Sequence, residues 1–274
     1  MSRKWWLTFL VIMALSGCQI LPGFLPTPTA PVIPSHLPAP TQPATQPPPP
    51  TVAPTPTPIP AGPWIIAPKN LEENSAKPAF TITLNYPQIT GTSDPHLLAF
   101  NQAAEKLTQD LRDSFRKDFL AIPADPNFGG SFAQMNYSVT NGSDGLLSVL
   151  FTISFYASGA AHPNQYSQVL NFDLIHGKKL ELANLFLPNI DYMKIIATAC
   201  SADLTQQKRL EFPEGVLPKA ENFASWNISA KGLVFSFDPY QVASYAMGPS
   251  QVVIPYASLK GSVDPNGLLA PLLK

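Results

Sequence analysis

The chain has 274 residues, 45% of them hydrophobic and only 13% charged, with a formal net charge of −1. No basic run exceeds a pair (Arg116-Lys117, Lys178-Lys179, Lys208-Arg209), which argues against a nucleic-acid partner. Cys18 and Cys200 are the two cysteines and the four histidines (His36, His96, His162, His176) are scattered, so neither a disulfide framework nor a Cys/His metal cluster is expected.

At the N-terminus Arg3 and Lys4 precede an apolar stretch from Trp5 to Ala14. That stretch falls well short of the roughly 20 apolar residues a membrane-spanning helix needs, and it fits the core of a secretory signal. It ends in Leu15-Ser16-Gly17-Cys18, which resembles a bacterial lipobox. The resemblance implies a signal peptide over 1–17 and lipidation of Cys18, with two or more acyl chains for firm anchoring. The alternative is a plain signal peptide with an incidental cysteine. Loss of Arg3 and Lys4 with the leader reduces 17 basic residues to 15 against 18 acidic ones.

Residues 18–63 are expected to be a linker. Pro22 to Pro63 carries seventeen of the 32 prolines and no Asp, Glu, Lys or Arg. Such a tract cannot bury a core and is expected to be a disordered, extended stalk, reaching on the order of 130 Å at about 3.1 Å per residue. A proline-rich ligand for a small recognition domain is the alternative. About 211 residues remain from Trp64 onward, enough for a sizeable core in one or two units.

"AFTITLNY" alternates Phe80, Ile82, Leu84 and Tyr86 against polar residues, which predicts a half-buried strand. Asp94 followed by Pro95 predicts a helix start, and Leu97, Phe100, Ala104, Leu107, Leu111 and Phe115 give that helix one apolar face. Glu105, Lys106, Asp110, Arg112 and Asp113 read as its solvated face. Strands are expected at about 132–140 and 147–156, joined through "NGSDG", a strong hairpin signal. "QVLNFDLIHGKKLELANLF" reads as another hairpin, turning at His176-Gly177. A helix is expected from Asn189 to about Gln207, with Cys200 beside its apolar face as a buried, inert thiol. "WNISAKGLVFSF" predicts a hairpin turning at Lys231-Gly232, and "QVVIPY" a last strand. The expected fold is α+β, antiparallel sheet or sheets with two packed helices. It is divided into a first domain over 64–165 and a second over 166–274.

Two loops stand out. "GAAHP" (Gly159, Ala160, Ala161, His162, Pro163) joins two strands of one antiparallel sheet. His162 there could be a catalytic base, a metal ligand, part of a protein-binding face, or a structural group donating to a nearby carbonyl; Gly159, Ala161 and Pro163 favour a shaped turn. For catalysis the nearest acid downstream is Asp173 and the nearest hydroxyl Ser158, in no recognised motif, and no catalytic residue is assigned. "DPYQVASYAMGP" gathers Asp238, Pro239, Tyr240, Tyr245 and Met247, a composition that anchors interfaces. The alternative is that Tyr240 and Tyr245 fold back on the sheet.

The sequence of "NYPQITGTSDPHLLAFNQAAEKL", "SGAAHP", "NFDLIHGKKLELANLF" and "FDPYQVASYAMGPSQVVIPYASL" resembles a bacterial tandem of domains of unknown function. The tandem occurs in the extracellular part of the RsiV anti-sigma factor and ahead of the catalytic domain of the peptidoglycan deacetylase PdaC. The resemblance runs from about Lys77 to Ser262, and Ala160 stands where the family carries a second glycine. It implies a binding role outside the membrane, with lysozyme, the ligand of the anti-sigma factor, as one partner and a cell-wall component as another. The chain shows neither the relay segment of the one nor the catalytic domain of the other. The expected protein is therefore a membrane-anchored, extracytoplasmic lipoprotein acting as sensor, decoy or inhibitor, with no metal, cofactor or nucleic acid. A scaffolding envelope protein is the second reading and a wall hydrolase the third.

Overall fold

The structure, a computed structural model, describes residues 64–123, 129–143 and 145–273. The signal peptide, Cys18 and the proline-rich tract lie outside the described residues. All described residues belong to one compact unit, Pro47–Lys274. None of the described helices is long and apolar enough to cross a membrane.

The first sheet has six strands in sequence order: β1 (Ile65–Ala76), β2 (Ala79–Thr90), β3 (Ser131–Ser143), β4 (Leu146–Tyr156), β5 (Asn164–Asp173) and the two-residue β6 (Lys178–Lys179). Every neighbouring pair is antiparallel except β2–β3. That pair is parallel because α1 (Pro95–Leu120) carries the chain back across the sheet between them, the crossover that parallel neighbours require. Asp94 caps α1, its Oδ1 accepting the His96 N–H at 2.8 Å, and Pro95 occupies the first turn where no donor is missed. The apolar stripe Leu97, Phe100, Ala104, Leu111, Phe115 and Phe119 packs on Phe80, Ile82, Leu84, Phe151 and Ile153. Phe100 meets Phe172 edge to face with centroids 5.6 Å apart. Each such fully buried side chain contributes about 2–3 kcal/mol.

β1 departs from the expectation that the sheet starts at residue 79. It lacks a legible apolar alternation because its inward residues reach the flank of α1 through charge. Lys69 pairs with Glu105 at 3.3 Å and Glu73 with Arg116 at 3.2 Å. Part of the helix face read as solvated is therefore an ion-pair contact with the edge strand. Lys106 and Asp110, by contrast, pair with each other in solvent.

The second sheet is β7 (Trp226–Ile228), β8 (Gly232–Phe237) and β9 (Ser250–Pro255), all antiparallel. α2 (Tyr192–Gln206) packs on it through Ile196, Cys200 and Leu204. The helix starts three residues later than the spacing predicts. Asn189 holds a left-handed φ of 65°, and Asp191 caps the helix by accepting the Lys194 N–H at 3.1 Å. The border expected between residues 165 and 166 lies inside β5, because β5 pairs with β4 along its whole length and β6 completes the same sheet. Two apolar cores form nonetheless, one under α1 and one under α2.

The join between them is polar. Ser148, fully buried on the face of the first sheet opposite α1, donates to Asn171 Oδ1 at 2.5 Å. Its hydroxyl accepts from Thr140 Oγ1, Asn227 Nδ2 and the Ile228 N–H at 2.9–3.0 Å. Asn171 Nδ2 in turn donates to the Trp226 carbonyl at 2.7 Å. β7 is thus fastened to β4 and β5 by side-chain bonds across the two sheets.

Cys200 is fully buried, and burial, with a smaller effect from Asp203, pushes its thiol up to about 12. Thiolate is then scarce at pH 8. Iodoacetamide at pH 8 is expected to leave Cys200 unmodified in the folded chain, as read by peptide mass mapping, and to label it only on denaturation.

Candidate functional site

The loop between β4 and β5 is shaped by its backbone. Gly159 takes a left-handed φ of 87°, the Ala160 N–H closes a turn on the Ala157 carbonyl at 2.9 Å, and Ser131 Oγ holds the Ser158 N–H at 3.0 Å. His162 Nδ1 lies 2.8 Å from the Pro163 carbonyl. A carbonyl only accepts, so the ring carries its proton on Nδ1. The same carbonyl accepts a second bond, from Tyr245 Oη at 2.8 Å.

That bond brings the two loops singled out in the sequence together, although 82 residues separate its partners. The His162 and Tyr245 rings stack with centroids 4.3 Å apart at 30°. Tyr240 stacks on Tyr245 at 5.6 Å and 29°. The result is a column of three rings: His162 at its base, Tyr245 in the middle, and Tyr240 outermost with 56% of its surface exposed. Such offset contacts stabilise beyond simple area burial. Tyr240 is held at φ 70°, a conformation that a bulky residue rarely adopts.

The loop carrying the tyrosines is fixed from several sides. The Tyr240 N–H donates to the Ala243 carbonyl at 3.0 Å. Gln241 Nε2 reaches the Asn222 carbonyl at 2.9 Å, and the Ser244 N–H reaches Glu211 Oε2 at 2.7 Å. Arg209 draws in three successive carbonyls through Nη2: Met247, Gly248 at 3.1 Å and Pro249 at 2.9 Å. Its Nε bonds Ser250 Oγ at 2.8 Å. Nothing in the sequence around Arg209 marks it as this clamp, since its partners lie about forty positions away.

The remaining residues of interest divide between structure and surface. Asp238 faces inward, its Oδ1 accepting the Ser167 N–H of β5 at 2.9 Å. Burial raises its carboxyl above the ordinary value, with the Ser167 bond working against that. Burial, with a contribution from Asp238, also pushes Tyr166 up to about 12. Pro239 is half-buried and Met247 exposed, as are Gly159 and Ala161. Asp173 does not meet His162. It sits at the other end of β5, nine strand positions or about 30 Å away. There it accepts the Ile175 and His176 N–H groups and lies 2.6 Å from His176 Nδ1. Among the described residues no three His, Cys, Asp or Glu side chains come together to hold a metal. A separate cleft of about 320 Å³ is lined by Trp226, Phe223, Tyr192, Lys179 and Glu181.

Comparison with known proteins agrees with this architecture. Residues 73–165 match the family model described as "Deacetylase PdaC", and residues 183–257 match "Protein of unknown function (DUF3298)". The chain is 21% identical over 186 residues to peptidoglycan-N-acetylmuramic acid deacetylase PdaC of Bacillus subtilis, covering 66% of the chain but only 38% of that protein. Two solved DUF3298 structures share the fold. One, from Bacteroides fragilis, is 17% identical at a TM-score of 0.53, covering 76% of this chain and 96% of that one. The other, from Pseudomonas aeruginosa, is 18% identical at 0.51, covering 73% and 95%. The DUF3298 match contains both tyrosines of the column, and the PdaC match ends at Gln165, just past His162. The ring column therefore draws its rings from both matched regions.

Proposed function

We propose that the chain is a non-catalytic, extracytoplasmic capture module, held to a membrane through lipidated Cys18. Its ligand is lysozyme or another component of the cell envelope. One observation carries the reading: Tyr240 is a large, exposed ring at the end of a stacked column, on a loop fixed by hydrogen bonds to four other segments. A ring so held loses little freedom on binding, which is where aromatic anchors gain their affinity. Similarity to a peptidoglycan deacetylase over the part that this chain spans supports placement outside the cytoplasm. Among the described residues the one pairing of acid and histidine, Asp173 with His176, has no nucleophile motif beside it.

The test is calorimetric titration of the full chain with lysozyme at about 50 and 500 mM salt. Surface attraction between a basic ligand and this mildly acidic chain is screened over that range. Saturable heat that persists at high salt is expected. Heat that vanishes with salt would mark nonspecific attraction, and absence of binding to both lysozyme and soluble wall fragments would overturn the capture reading.

A further inference from the structure

The face of the first sheet opposite α1 has two halves. β7 covers one, and the polar seam around Ser148 lies beneath it. The other half, toward the β4–β5 loop, stays half-exposed. Its side chains fall in rows set by the strand register. One row runs Thr83, Gln134, Ser154 and Gln165 across four adjacent strands. The next row holds Asn136 opposite Thr152, with Asn85 Nδ2 donating to Asn136 Oδ1 at 3.1 Å. The row nearest the loop is aromatic: Phe132 and Tyr156 stack with centroids 6.0 Å apart at 25°.

Charge is missing from this area. None of the outward positions over 81–85, 132–138, 150–156 and 165–167 is Asp, Glu, Lys or Arg. Charge is met only at the ends of the rows: Glu72 on β1, engaged by Asn70 at 2.6 Å, and Asp238 at the β5 edge, engaged by the Ser167 N–H at 2.9 Å. A solvent-facing sheet needs polarity for solubility, but it has no need to exclude charge across four strands. Amides and hydroxyls differ from charged groups in offering donors and acceptors together, without the strong hydration of an ion. Pairing Asn85 with Asn136 still leaves an amide oxygen on one and an N–H on the other, with no protein partner among the described residues.

We propose that this face binds an uncharged, acetamido-bearing sugar chain. The amide and hydroxyl rows match hydroxyl and N-acetyl groups, which likewise carry donors and acceptors without charge. The Phe132–Tyr156 pair offers a flat apolar surface to one face of a sugar ring. Adjacent rows are two residues apart and adjacent strands about 4.8 Å apart, so a linear chain meets polar partners at regular intervals. The site is distinct from the ring column and does not depend on it.

The probe is the N-acetylglucosamine hexasaccharide, titrated by calorimetry into the full chain with no other ligand present. Saturable binding, unchanged between about 50 and 500 mM salt, is expected. Tyr156→Ala and Gln134→Ala should each weaken it at least tenfold, and Tyr240→Ala should leave it unchanged. Gln134→Ala removes a half-exposed side chain without emptying a core, so it reads the site even where Tyr156→Ala misfolds. The proposal is overturned by absence of saturable binding at millimolar sugar, or by binding indifferent to Gln134→Ala in a folded variant. Binding confined to the cationic, de-N-acetylated hexamer and lost with salt overturns it as well. Should Gln134→Ala weaken lysozyme capture and not the sugar, the face is a protein-docking surface instead. Loss of lysozyme capture by Tyr240→Ala alone bears on the capture reading and not on this one.

Discussion

Ser148→Ala is expected to destabilise the folded chain by about 2–4 kcal/mol, although it removes a single oxygen. The hydroxyl accepts the Ile228 N–H and Asn227 Nδ2 and donates to Asn171, all in a place without solvent. Each buried donor or acceptor left unpaired costs about 1–3 kcal/mol, and here at least two would be left. Asn227 Oδ1 already lacks a partner among the described residues, so this network has little capacity to rearrange. Denaturant titration checks the value. A loss below about 1 kcal/mol would mean that water enters the seam and takes over the bonds. Because the seam joins the two cores, the variant is also expected to broaden the transition, with the second sheet opening first by hydrogen exchange.

Tyr240→Ala is expected to weaken ligand capture roughly 30-fold or more while leaving stability nearly unchanged. This corresponds to the 2 kcal/mol or more of an aromatic hot spot. The separation of effects follows from position. Tyr240 is 56% exposed and covers only the outer face of Tyr245. Tyr245→Ala should do both, because Tyr245 also holds the Pro163 carbonyl and packs on His162. Tyr245→Phe isolates the hydroxyl: it keeps the stack, removes one bond to Pro163, and is expected to cost about 1 kcal/mol with capture largely kept. Titration beside thermal melting distinguishes these. Tyr240→Ala melting early with unchanged affinity would make the column a packing device.

Much of this was legible because local chemistry and tertiary role agree. Asp94-Pro95 starts a helix wherever an apolar stripe follows, and the alternation in β2 and β4 fixes which face meets α1. The two loops were legible as sites by composition, but their meeting was not. It rests on a tyrosine hydroxyl reaching a carbonyl 82 residues away, and no spacing encodes that. β1 was missed because an edge strand buries little. Ile66 is its single buried residue, and ion pairs replace the apolar period. The Ser148 seam was missed for the opposite reason, since Ser148, Asn171 and Asn227 read as ordinary outward residues until a second sheet lies over them. Asp173 was weighed as a partner of His162 from its order in the chain, yet one strand length parts them.

β1 also sets how the domain meets a pull. The strand enters at Ile65, paired with Thr90, and runs toward Ala76. The β4–β5 loop, with His162 and the tyrosines stacked on it, lies at the far end of the same sheet, where Phe80, Ser131 and Tyr156 gather. Tension entering at residue 64 and resisted by a ligand on the column would draw β1 along its own axis. The twelve paired positions of β1 and β2 would then be loaded together in shear rather than opened one after another like a zip. A captured partner could tug on this domain without peeling off its first strand.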